Sequence, residues 1–116
     1  MINEDVKINV KGHEYSVPFP TVGQFYRIEA LKQSLSRGFY NSMVMSPTGT
    51  AQQALDMIDI EATLTVLVPD LVKDLKVKSF DELDVRDYTD VRDAYFKSVA
   101  PFFKEVQDIL NGTMKE

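Results

Sequence analysis

"VKINVKGHEYSVPFPTVGQFYRIE", residues 6–29, decides the fold, because the apolar period changes inside it from that of a strand to that of a helix. Val6, Ile8 and Val10 alternate with Lys7, Asn9 and Lys11, the pattern of a strand with one buried face. Lys11-Gly12 marks a turn, since glycine takes a positive φ without a Cβ clash. Tyr15 and Val17 carry the alternation back, and Pro18 and Pro20 end it, because proline has no N–H to give a ladder. The reading is a hairpin over about residues 5–18. Thr21 and Gln24 then have capping-box spacing. Ile28, Leu31 and Leu35 fall near one face with Phe25 beside them, and Gly38 stands where a helix is capped at its C-terminus. A helix over about 21–37 follows.

Everything further along reads as helical. In "FYNSMVMSPTGT", residues 39–50, Pro47 and Gly49 predict a loop, yet Phe39, Tyr40, Met43, Val44 and Met45 make its first half apolar. Those side chains either fold back into the core or line an adaptable binding surface of the kind that flexible methionines suit. Thr50 and Gln53 are a second capping-box pair, opening a helix over about 51–67. Ala51, Leu55, Ile58, Ala62 and Val66 occupy one of its faces; Met57, Ile60, Leu64 and Leu67 occupy nearly the opposite one. Gln52, Asp56, Asp59 and Thr63 form the remaining polar arc. A helix so nearly apolar all round is central in its domain or shared with another chain. Pro69 stops it, with Val68 pushed out of helical geometry. A short helical turn is expected around Leu71 and Leu75, and Ser79 with Glu82 is expected to cap another through Leu83. The last helix, about 90–110, carries Val91, Tyr95, Phe102, Val106 and Ile109 on one face. Pro101 lies inside it and would cost roughly 3 kcal/mol in an unbroken helix, so a kink or break is expected near Ala100. The fold class is therefore α+β: a mostly α-helical single domain, residues 1–116, with an N-terminal two-stranded hairpin.

Composition narrows the functional classes. With 13 Lys and Arg against 18 Asp and Glu, the net charge of −5 argues against nucleic acid, whose phosphates need clustered cations. No run approaches the roughly 20 apolar residues of a membrane span. The opening "MINEDVK" lacks the basic-then-apolar pattern of a secretory signal. The absence of cysteine excludes disulfides and thiolate chemistry and suits a reducing cytoplasm.

The individual candidates for chemistry are weak. His13, the only histidine, stands at the hairpin turn, and its neighbour Glu14 points to the opposite face of the strand. Asp81, Asp84, Asp87, Asp90 and Asp93 recur every third residue, which invites a calcium site. They lack the alternating oxygen ligands, central glycine and closing glutamate of an EF-hand, and they drift around a helix instead of converging. Acids near a helix N-terminus are accounted for by its dipole. Glu61, in the apolar stretch of the middle helix, would titrate high if buried, but one carboxylate is no catalytic pair. Phosphate-loop, dinucleotide, nucleophile-elbow and zincin strings are all absent, so the expectation is a non-enzyme without cofactor or metal.

The hairpin points to assembly. Alone it is marginal in water, so it either packs Val6, Ile8 and Val10 on its own helices or lends an edge to another chain. With the two-faced middle helix, this suggests a homo-oligomer or a binder of protein. Val6, Ile8, Val10, Phe39, Tyr40, Met43, Met45, Ile60 and Leu64 are the candidate partner-binding residues. The strand, "KG" turn, strand and aromatic helix of "KINVKGHEYSVPFPTVGQFYRIE", with "VLVPDLVKD" and "SFDEL" further on, resemble the small tail assembly chaperones of long-tailed bacteriophages. That resemblance implies a protein of the host cytoplasm that binds the tape-measure protein and tail tube subunits during assembly. It transfers no individual functional residue. The rival readings are a small structural tail or neck protein and a bacterial protein-binding adaptor.

Overall fold

Where the strand alternation ends at Val10, two residues in the left-handed region, Lys11 at φ 53° and Gly12 at φ 82°, turn the chain back. Two consecutive positive φ values match the twist of a hairpin, which is why glycine is placed second. In the computed structural model, which describes residues 6–45, 49–110 and 112, this gives β1 (Val6–Val10) and β2 (His13–Val17). They pair antiparallel, with Val6 opposite Val17, Ile8 opposite Tyr15 and Val10 opposite His13. The helices are α1 (Val22–Leu35), α2 (Tyr40–Met45), α3 (Gly49–Leu67), α4 (Pro69–Leu75), α5 (Val85–Ala94) and α6 (Ala100–Leu110). A 3₁₀ turn covers Phe80–Glu82, and a π-helical turn, Tyr95–Val99, joins α5 to α6. The chain is α+β, mostly helical, with its small sheet at the N-terminus. Its contacts fall into two compact units: the residues through Pro20 together with those from Leu83 onward, and Thr21–Glu82.

In the first unit the hairpin has an apolar and a polar face. Ile8, Val10 and Val17 are buried, whereas Lys7, Asn9, Glu14 and Ser16 are exposed. β1 packs on α5 and on the π turn, and Phe19 meets Phe102 edge to face at 5.5 Å between ring centroids. An exposed ion pair, Lys11 to Asp87 at 3.3 Å, adds at most about 1 kcal/mol. The expectation of a last helix beginning near residue 90 is corrected: helical backbone starts at Val85, where the Asp84 carboxylate accepts the Arg86 N–H at 2.8 Å. The irregularity expected near Ala100 takes the form of a π turn: the α-helix is interrupted over Tyr95–Val99, while the chain stays helical from Val85 to Leu110. The reason lies one turn earlier. Proline's ring clashes with the carbonyl four residues back, that of Lys97, and Lys97 lies in the wider π turn, where Ala100 donates to the Tyr95 carbonyl. Val91, Tyr95, Val99, Phe102, Phe103 and Val106 thereby all face the core, while Ile109 is exposed.

The second unit is built around α3, on which α1, α2 and α4 each pack. Thr21 caps α1 as its spacing predicts: its hydroxyl accepts the Gln24 N–H at 3.1 Å, and the Gln24 side chain accepts the Thr21 N–H at 2.9 Å. The second capping-box expectation fails, since α3 is already helical at Gly49, before Thr50; Pro47 lies outside the described residues. Ile60, Glu61, Ala62, Thr63 and Leu64 are buried in succession, so α3 has no solvent face at this level. Thr63, assigned above to a polar arc, is among them. Val68 leaves helical geometry at φ −135°, and Pro69 then opens α4, where its missing N–H costs nothing.

Candidate functional site

The segment 39–45, which sequence alone leaves between core and binding surface, forms the helix α2 from Tyr40 onward, and none of the helix's six residues is fully buried. Phe39 is 63% exposed, Val44 50% and Met45 81%, so these three are displayed to solvent. Tyr40 and Met43, three apart on the helix, are half-buried against the unit. Of the two readings of this segment, folding back into the core holds for no residue in it completely. Isolated exposed apolar residues are ordinary; here three fall within seven positions, on one short helix and its lead-in.

Polar contacts add to this packing in holding α2 in place. The Tyr40 hydroxyl donates to Asp59 Oδ1 on α3 at 2.6 Å. Lys32, on α1 and only 6% exposed, brings its Nζ to 3.0 Å from Glu29 Oε2 and 3.6 Å from Asp59 Oδ1. The same ammonium lies 5.6 Å from the centre of the Tyr40 ring, within cation–π range. Burial pushes the Asp59 carboxyl above its usual range; the Tyr40 hydrogen bond and the Lys32 charge pull it partly back. Sequence reasoning missed this cluster. Its signal was Lys32 itself, which stands in register with Ile28 and Leu35 on the buried stripe of α1, where an unpaired lysine would be costly.

Glu61 does a related job two residues along α3. Its Oε1 accepts the Phe80 N–H at 3.2 Å and the Ser79 hydroxyl at 3.3 Å, fastening the start of the 3₁₀ turn to α3. The expected capping by Ser79 is thus corrected: its hydroxyl goes to Glu61, and Glu82 instead accepts the Lys78 N–H at 3.1 Å. Burial raises the Glu61 carboxyl above its usual range, and the two hydrogen bonds oppose this. α3 therefore carries two carboxylates, Asp59 and Glu61, each fastening a different peripheral segment.

The other candidate binding residues sit elsewhere. Ile60 and Leu64 have no exposed surface and belong to the core, so they are not available to a partner. Ile8 and Val10 are buried too, because the hairpin satisfies its need for a partner surface on α5 and the π turn; Val6 is half-buried. His13 is exposed at the turn. In the acidic series, Asp84 caps α5, Asp87 pairs with Lys11 and Asp93 pairs with Arg92 at 3.4 Å. Arg86 holds the Asp84 carboxyl below its usual range through its side chain and backbone N–H. Among the described residues no group of three metal-ligating side chains comes together, and no helix is long and apolar enough to cross a membrane. Compared with known proteins, the chain matches no family model, no curated protein and no solved structure.

Proposed function

We propose that the chain is a non-enzymatic protein-binding domain that serves as a phage tail assembly chaperone. In this reading α2 and its lead-in offer Phe39, Val44 and Met45 to apolar helical segments of a tape-measure protein, shielding them until tail tube subunits arrive. The observation that carries the reading is the exposure of those three side chains on a helix held by Lys32, Asp59 and Tyr40. An apolar contact set on an acidic domain suits such a role, since the contacts take the guest and the net charge of −5 keeps the complex in solution. The partner is proposed from the resemblance of the sequence to the tail assembly chaperones. The reading also includes self-association in the host cytoplasm.

Light-scattering mass in solution, with and without fragments of a co-encoded tape-measure protein, tests it. A defined oligomer that takes up the fragments and keeps them soluble is the expected result. A monomer indifferent to them would favour an adaptor or a component that stays in the virion.

A further inference from the structure

We infer that α2 is a latched strap, able to unfold locally while α1 and α3 stay folded. Four observations on the second unit lead there. First, α2 has six residues, too few to hold a helix in water, and none of them is fully buried. Second, α1 ends independently of it: Ser36 donates to the Lys32 carbonyl at 3.0 Å, and Gly38 to the Gln33 carbonyl at 2.8 Å. Third, the joint between the two helices, Arg37 at φ 56° and Gly38 at φ 82°, is left-handed at two successive residues. It closes α1 without needing α2 for support. Fourth, the Tyr40–Asp59 hydrogen bond, with Lys32 beside both, joins α2 to the helices beneath it by polar contacts that water can replace.

The latch decides what the chain presents. Closed, the strap displays Phe39, Val44 and Met45 and keeps Tyr40 and Met43 half-covered. Open, it adds those two side chains to the exposed set on a segment free to adapt its shape. The inference stands on the packing of the second unit and does not require the proposed function.

Native-state hydrogen exchange tests it on the wild-type chain first. The Met43, Val44 and Met45 amides are expected to exchange faster than buried α3 amides, at rates nearly independent of low denaturant, as local opening requires. Tyr40→Phe removes the hydroxyl from Asp59 and should speed those amides by about tenfold or more while α3 rates hold. α2 amides that exchange only with global unfolding in the wild type would overturn the strap. So would a Tyr40→Phe variant in which α2 and α3 rates rise together. The wild-type measurement is decisive on its own if that variant fails to fold.

Discussion

Lys32 and Glu61 are each a charged side chain held in a mostly apolar setting, and each is bound for a reason visible in its partners. Lys32→Met keeps the stem's packing but removes the cation from Glu29 and Asp59, leaving Asp59 partly buried without its counter-charge. A loss of about 1–3 kcal/mol is expected, read as a lowered urea midpoint. Glu61 makes a prediction about pH. Its folded pKa lies above the unfolded value, so the folded state takes up a proton more readily than the unfolded state does. Stability contributed by this group is therefore lower at neutral pH and rises as pH falls through the folded pKa toward the unfolded one. Glu61→Gln keeps an acceptor for Phe80 but cannot titrate. As pH falls from neutral toward the ordinary glutamate range, the wild-type urea midpoint should gain more than that of the variant. Equal gains would show that the titration lies elsewhere. Sequence reasoning passed over the lysine on its apolar stripe and over Glu29 one turn away, whereas Tyr40 and Asp59 come from α2 and α3 and needed the fold to find them.

At the scale of elements, the hairpin and α1 were legible because turn and cap chemistry are local: Lys11-Gly12 sets one, Thr21 and Gln24 the other. α2 was not, since its helix depends on a hydrogen bond to a residue 19 positions away. The π turn was not legible either, because proline's clash can be met by a break, a kink or a widened turn, and packing chooses among them. Pro101 is exposed, so its replacement probes the backbone alone. Pro101→Ala is expected to stabilise the chain by clearly less than the roughly 3 kcal/mol that proline costs in a regular helix. The π turn has already relieved that clash. A gain of the full amount, by denaturant titration, would mean the strain persists. α3 gives the opposite kind of prediction. Leu64→Ala should cost about 2–5 kcal/mol, as a cavity in a close-packed site does, and Leu64→Glu should abolish the cooperative melt. A folded Leu64→Glu chain would contradict the core position of that side chain.

For the whole molecule, the sequence pointed to binding through three places: the hairpin, the middle helix and the segment 39–45. The first two use their apolar residues within the chain, Ile8 and Val10 beneath the hairpin, Ile60 and Leu64 inside α3. Periodicity reports that a face is buried without saying by what, so it could not separate core from interface. Of these three places, among the described residues, the third leaves large apolar side chains in water, and the proposed chaperone activity rests on its Phe39, Val44 and Met45. The most direct measurement is capture of tape-measure helical fragments by wild type and by Phe39→Ser/Met45→Ser. Both replaced side chains are largely exposed, so each substitution should change stability by no more than about 0.5 kcal/mol and leave the melting temperature nearly unmoved. The wild type is expected to keep the fragments soluble and the double variant to lose them. Equal capture by both chains, or capture by neither, would contradict it.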